Sequence, residues 1–430
     1  MSDACSIENL NSDCFCLPLA ASALRSAVAT RLPPEDVDWG SSTLASLVAE
    51  QPLFLPATLE TELFERVRAV GRALLELARE NGQADPANLL AAAVFGSFDF
   101  HLTHAGPKLI EVNTNAGGAF LQPLLYEALT EAAAASWFEP ERVLLDAFAT
   151  LAPNRRLKRL AIVDFRPQEQ PLYLDMRLAA AALEARGIAV DILDATQLVR
   201  EGSRLSGPGG PIDMVYNRLT DFELGLPDNA PLREAWQADE VVLTPNPDVY
   251  RGFADKHLLI ALSDPDRVRT LAAASGFPVE RVLDTLLPCS EIGTENAEAF
   301  WKARRDYVFK PGRGHGSRGV YRGDKISRSK WQQIVAEGYL AQRFAAPSLR
   351  SLQLDSGVKP FKVDIRVWTH GIEPVFTAAR LYSGQVMGFR SEGAGFAPII
   401  WMDPAKSAAD CRDVSAFQAL CRASCTGGAP

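Results

Sequence analysis

The segment DFHLTHAGPKLIEVNTNAGG, residues 99–118, carries two acids and an asparagine on short β-type runs. Two short β-type runs, FGSFDFHL (95–102) and KLIEVNT (108–114), flank a Gly-Pro breaker, and the pattern predicts a hairpin. Side chains alternate faces along a strand, so Glu111 and Asn113 share one face, and Asp99 lies across the hairpin from them. A carboxylate and an amide oxygen on one face, with a second carboxylate opposite, suit a hard cation. Magnesium takes oxygen ligands and shares the rest of its shell with phosphates. Asp99, Glu111 and Asn113 are therefore candidate metal ligands. The competing reading of Glu-x-Asn is the solvated face of an edge strand.

Working outward, YVFKPGRGHGSRGVY (307–321) ends a predicted strand at Lys310 and enters a loop with Gly312, Gly314, Gly316 and Gly319. Glycines let backbone N–H groups approach phosphate oxygens, and a lysine supplies a point charge. Arg313, His315, Ser317 and Arg318 add donors. The spacing is not GxxxxGK[ST], so this is no P-loop, and a glycine-rich turn is the plain alternative. Lys256 opens a predicted helix in FADKHLLIAL (253–262), within a helical stretch read over 253–277. GYLAQRF (338–344) holds a strand with Gln342 and Phe344. In FKVDIRVW (361–368), Lys362, Asp364 and Arg366 alternate along one strand face, a pattern that usually marks a solvated face.

The remaining chain alternates. Residues 17–90 read as helices, among them the long amphipathic LETELFERVRAVGRALLELARENG (59–82), and residues 123–156 read as helical again. LAIVDF, LYLDMRLAAAALEARG and IAVDIL, within 159–198, form a strand–helix–strand unit that implies a parallel sheet. IDMVYNRL is a further strand, GPGGP (207–211) a loop, and EPVFTAARLYSG pairs with FKVDIRVWTHG. The turn after LAIVDF has no Gly-x-Gly-x-x-Gly, which disfavours a dinucleotide-binding dehydrogenase.

Together these segments resemble the ATP-grasp superfamily. DFHLTHAGPKLIEVNT is similar to its Asp…Glu-x-Asn-Thr metal motif, and the other segments are similar to its two nucleotide lysines, glycine-rich loop, adenine-side strand and Asp-x-Arg strand. The metal motif precedes the lysines here, an order that resembles the circularly permuted glutathione synthetases of eukaryotic type. LIEVNT, ADKHLL and VFKP occur in that family's order, over roughly residues 90–400.

The resemblance implies an α/β (α+β) ATP-grasp fold, circularly permuted, with an inserted Rossmann-like parallel-sheet substrate domain. Its implied parts are a helical region 1–90, a first part of the catalytic body at 91–155, the substrate domain 156–250, the nucleotide part 251–405 and a tail 406–430. It implies ATP and Mg²⁺ as cofactors and an ATP-dependent carboxylate–amine ligase acting through an acyl phosphate. By the same resemblance Asp99, Glu111 and Asn113 hold the metal, Lys256 and Lys310 hold phosphates, and Lys362 is a further nucleotide-binding candidate. Gly314, Gly316, Ser317 and Gly319 form the closing loop, Gln342 and Phe344 border adenine, and Arg218 and Asp221 meet the substrate. The family's arginine two residues before the metal Asp is Ser97 here, so Arg366, Arg380 or Arg390 must supply that charge, with Arg366 and Arg380 the catalytic candidates. Gly314 stands where the family has a metal-binding Glu. The alternatives are a non-catalytic Mg-ATP-binding homologue and a phosphotransferase.

Composition bounds the rest. The 430 residues carry 44 Lys+Arg and 53 Asp+Glu, a net charge of −9, with 47% hydrophobic residues. This argues against a nucleic-acid backbone as partner and for a folded chain; small-molecule carboxylate and amine substrates are what the resemblance implies, and a homodimer is left open. No apolar run reaches the ~18 residues needed to span a bilayer. MSDACSIENLNSDCFC lacks a basic segment before an apolar core, so a cytoplasmic location with reduced thiols is expected. A metal site shared by the terminal cysteines has no standard zinc spacing and is disfavoured against incidental thiols.

Overall fold

The structure is a computed structural model and describes residues 7–15, 17–82, 85–129, 138–312 and 319–402. Its largest sheet is antiparallel throughout and is built on the 14-residue strand Gly357–His370. One side of that strand pairs with Glu373–Tyr382, which carries Gly395–Ala397 beyond it. The other side is shared by Ser348–Leu354 near its start and Val94–Thr103 near its end, and Gly106–Asn113 closes that edge. The predicted hairpin is therefore present, and its Glu-x-Asn strand is an edge strand.

The 24-residue helix Ala57–Glu80 covers one face of this sheet. Leu63, Val67, Val70, Ala73, Leu74 and Leu77 recur at helical spacing and join Phe98, Phe100, Val363, Ile365 and Val367 in one core. Gly71 lets the helix pass Ile372, whose Cβ lies 2.7 Å from where a side chain would begin.

Two smaller sheets flank this body. Arg159–Asp164, Ala189–Asp194, Met214–Asn217 and Val242–Thr244 form an all-parallel sheet, with helix Tyr173–Glu184 crossing between the first two strands. Cys289–Glu291, Leu340–Arg343, Tyr307–Lys310 and Tyr321–Arg322 form an antiparallel sheet. That sheet has a core of its own, made by Ile292, Phe309, Trp331, Ile334, Tyr339 and Ala341.

Three sequence expectations are corrected. Residues 17–90 are not all helical: Leu53–Pro56 is a strand paired in parallel with Ile399–Met402, a partner too distant in sequence for local pattern to reveal. The helix read over 253–277 is interrupted. A π-type turn, Tyr250–Ala254, precedes His257–Ala261, and a new helix starts at Pro265 because the Asp264 side chain accepts the Asp266 N–H. The charged face of FKVDIRVW is not solvated, since Asp364 and Arg366 are buried. Among the described residues no helix is long and apolar enough to cross a membrane. Cys5, Cys16, Cys411, Cys421 and Cys425 lie outside the described residues, whereas Cys289 is buried.

Candidate active site

The hairpin register places Ser97 opposite Asn113 and Asp99 opposite Glu111, and then slips: Phe100 faces Leu109, so Ile110 is an extra residue. Such a bulge frees one backbone unit from the ladder. Here the Ile110 carbonyl accepts the Lys310 Nζ at 2.8 Å and the Gln342 Nε2 at 3.2 Å. The small antiparallel sheet thus meets the edge of the large sheet beside Glu111. Glu111, Lys256, Lys310 and Gln342 line one slot there, with Phe253, Leu259 and Leu340 as its apolar wall. The enclosed space is about 10 Å³, room for roughly one water. Lys310 is buried; burial lowers its pKa, Glu111 opposes that shift and Lys256 adds to it.

On the inner side of the hairpin lies a buried charge ladder. Arg366 pairs across the sheet with Asp99 and holds its carboxylate through Nε at 2.8 Å and Nη2 at 2.7 Å. Arg380 bridges Asp99 at 2.8 Å and Asp364 at 2.6 Å. Burial works to raise the Asp99 pKa, but the two guanidiniums win and hold it at about 2. Asp364 shares Arg380 with Asp99; burial and that neighbouring charge push its pKa up to about 6. Arg380 Nη1 is buried without a hydrogen-bond partner. A buried donor left without an acceptor is costly, and an anionic ligand oxygen would satisfy it.

Magnesium, implied by the motif, can be tested against these side chains. Asn113 Nδ2 donates to Asp99 at 3.0 Å, which leaves the amide Oδ1 as the open atom, and Glu111 reaches the lysine slot. These two fit a cation that completes its shell with phosphates and water. Asp99 does not fit, because arginines occupy its oxygens. Among the described residues no group of three or more His, Cys, Asp or Glu side chains forms a metal cage.

The other sequence candidates divide. Gly314, Gly316 and Ser317, with Arg313, His315 and Arg318, lie outside the described residues. The described ends of that loop are tightly seated, Gly312 against the His257 ring and Gly319, at φ +73°, near the Tyr339 hydroxyl. Phe344 is stacked by the Arg322 guanidinium at 4.1 Å, and Lys362 donates to the Gly384 carbonyl at 2.5 Å; neither lines the slot. The Asp221 carboxylate is engaged by the Leu226 N–H and the Asn229 amide, each at 2.8 Å, so it organises its own loop.

Arg218 follows the strand Met214–Asn217, and Asp164 ends the neighbouring strand. The chain passes from Arg159–Asp164 to one side and returns to Met214–Asn217 on the other, so the reversal of strand order lies between these two residues. Open parallel sheets bind ligands at that position. Arg218 is buried; its Nη1 donates to Asn115 Oδ1 at 2.6 Å and its Nε has no partner. Gly117 admits the guanidinium, since a Cβ there would lie 2.4 Å from Nη2. Burial raises the Asp164 pKa to about 6 against the pull of Arg218. Asp175, buried under the same loop, accepts the Gly118 N–H at 2.9 Å and the Phe120 N–H at 2.8 Å. Sequence reading missed Asp164 and Asp175, although an acid ending an apolar strand and an acid inside an apolar helix were both visible.

No protein-family model matches the chain, and no curated protein matches it. A glutathione synthetase-like effector from Globodera pallida, solved in its apo form, aligns with a TM-score of 0.53 at 11% identity, over 89% of this chain and 97% of its own. The ATP-grasp ligase PsnB, in complex with precursor peptide PsnA2 and AMPPNP, aligns with a TM-score of 0.29 at 14% identity, over 62% of this chain and 97% of its own. The first likeness shows the fold: the chain has a glutathione synthetase-like fold, as the motif order implied.

Proposed function

We propose that this chain is an ATP-dependent carboxylate–amine ligase of the ATP-grasp class, forming an amide through an acyl phosphate on a small amino-acid or peptide-like substrate. The observation that carries this reading is the slot, where Lys256, Lys310 and Gln342 converge on Glu111 from segments far apart in sequence. In this reading the catalytic body is circularly permuted, and the parallel sheet, within 156–250, is its Rossmann-like substrate domain.

The roles follow from charge and position. Lys256 and Lys310 neutralise the nucleotide phosphates, and the apolar wall takes the base. Glu111 and Asn113 would hold a magnesium ion, which would supply charge shielding of phosphoryl oxygens. Arg380 offers its unpartnered Nη1 to the oxygen of the carboxylate being phosphorylated. The incoming amine then displaces phosphate. The protein positions and neutralises, and no side-chain nucleophile is required. Arg218 takes a second carboxylate of the substrate, and Asp164 faces its ammonium group.

The test is ADP release with candidate amino acids and dipeptides, comparing wild type with Glu111→Ala and Lys310→Ala. Both variants should lose roughly 100-fold or more of the amine-dependent rate, the scale seen when one stabilising donor is removed. Equal turnover in all three would sink the assignment. Ser97, in place of an arginine, favours a second reading as a non-catalytic nucleotide-binding protein. That reading expects Mg-ATP binding without amine-dependent ADP. A phosphotransferase would instead leave a stable phosphorylated product.

A further inference from the structure

We propose that Asp99 is a positioning residue for Arg366 and Arg380, not a ligand of the cation, and that the cation site on this hairpin consists of Glu111 and Asn113. The inference rests on the reading of the hairpin as a nucleotide–magnesium site and narrows which of its residues touch the ion.

Oδ1 of Asp99 accepts from Arg366 Nε at 2.8 Å and from Ser97 Oγ at 3.2 Å. Its Oδ2 accepts from Arg366 Nη2 at 2.7 Å and Asn113 Nδ2 at 3.0 Å, and meets Arg380 Nη2 at 2.8 Å. Five donors surround a group with about four lone-pair sites. The side chain is 0% exposed. A cation reaching it would have to displace a guanidinium and then sit beside that positive charge. The ladder is also neutral as it stands, two carboxylates against two guanidiniums, so Asp99 contributes no surplus negative charge. What it does fix is geometry. It holds Arg366 in a two-bond fork, holds Arg380 with its free Nη1 still unpartnered, and turns the Asn113 amide so that Oδ1 is the open atom. Ser97 takes part in the same cluster where the related motif has an arginine.

Manganese serves as the spectroscopic probe. The full-length chain is titrated with Mn²⁺ and AMPPNP, and free Mn²⁺ is followed by electron paramagnetic resonance. Glu111→Gln is expected to abolish measurable Mn²⁺ binding, whereas Asp99→Asn, which removes only the group that orients Asn113, is expected to weaken it about tenfold. The rate of ADP formation per metal-binding chain should nevertheless fall in Asp99→Asn. That loss should be largely absent when Arg380→Gln is already present, because the residues act as one unit. Additive losses overturn the positioning role. If Asp99→Asn does not fold, a crystal of the wild-type chain with Mn²⁺ and AMPPNP decides the point. An anomalous peak beside Glu111 and Asn113 with no Asp99 oxygen among its ligands is the expected result. An Asp99 oxygen at about 2.1 Å from the ion overturns the proposal and leaves the nucleotide–magnesium reading standing. No Mn²⁺ at the hairpin overturns both.

Discussion

Single residues set the charge balance of the site. His101 shares the face of Asp99 and is buried, with Nδ1 donating to the Ala345 carbonyl at 2.8 Å and Nε2 facing the Tyr382 hydroxyl at 3.3 Å. Burial, with Lys310 and Arg380 nearby, lowers its pKa to about 4. The folded chain therefore binds fewer protons than the unfolded chain between about pH 4 and 6.5. The stability this ring contributes is complete above pH 6.5 and is lost as pH falls toward 4, on the order of 3 kcal/mol. Asp164 and Asp364, raised to about 6, act in the opposite sense over much of that window. The difference in urea stability between wild type and His101→Gln isolates the histidine and should shrink as pH falls from 7 to 4; a pH-independent difference refutes it. Arg380→Met should be more damaging, because it leaves Asp99 and Asp364 sharing one guanidinium. Losing one partner of a buried ion pair costs about 3–5 kcal/mol, which chemical denaturation would read directly. Lys362, Asp364 and Arg366 show the limit of residue-level reading. Their alternation was plain in FKVDIRVW, but whether that face met water depended on a strand some 260 residues earlier, whose Asp99 completes the pairing.

Among the elements, the loop that leaves the strand Gly106–Asn113 links the hairpin to the parallel sheet. Asn115, Gly117 and Gly118 lie within a few residues of Asn113, and all three contact the edge of the parallel sheet or its crossover helix. Gly117→Ala would drive a Cβ into Arg218 and into Leu172, 2.5 Å away. The KM for the carboxylate substrate should rise at least tenfold, with nucleotide affinity unchanged; a parallel loss of both places the effect on the hairpin instead. Gly118 is at φ +97°, and a side chain there would strike the Phe396 ring. Gly118→Ala should therefore destabilise the fold, through backbone strain and overpacking together, by a few kcal/mol (about 2–4) in denaturant titrations. The hairpin, its Gly-Pro turn and the shared face of Glu111 and Asn113 were legible because strand alternation is local. The bulge at Ile110 was not. It appears only in the register against Val94–Thr103, and it gives Lys310 and Gln342 their common acceptor.

For the whole molecule, one face of the small antiparallel sheet has its own core, whereas Cys289 and Leu340 join the core of the large sheet, and the slot between the two sheets has room for roughly one water. A nucleotide needs several hundred cubic ångströms. Read as a nucleotide site, the slot would have to widen, and the contacts of Lys310 and Gln342 with the Ile110 carbonyl are the ones that would give way. The helix before the small sheet, Val279–Thr285, is tied to the body by ion pairs of Arg66 and Lys108 with Asp284 and of Arg281 with Glu65. Hydrogen exchange should show residues 307–310 and 340–343 opening in the free chain and protected by Mg-AMPPNP, with helix Ala57–Glu80 unchanged; equal protection in both elements would contradict a hinged small sheet. Local pattern was enough to read the hairpin, the strand–helix–strand grammar, the lysine before a glycine-rich loop, and the order of these motifs. Each depends on the periodicity and residue type of a short segment. Only the tertiary structure decided which charges were free to act. Asp99 and Asp221 are engaged by internal partners, Arg218 and Arg380 keep an unpartnered nitrogen, and Asp164 lies buried beside Arg218. The reason is physical: a side chain's burial and its hydrogen-bond partners come from strands and loops brought together from distant parts of the chain, which no local pattern encodes.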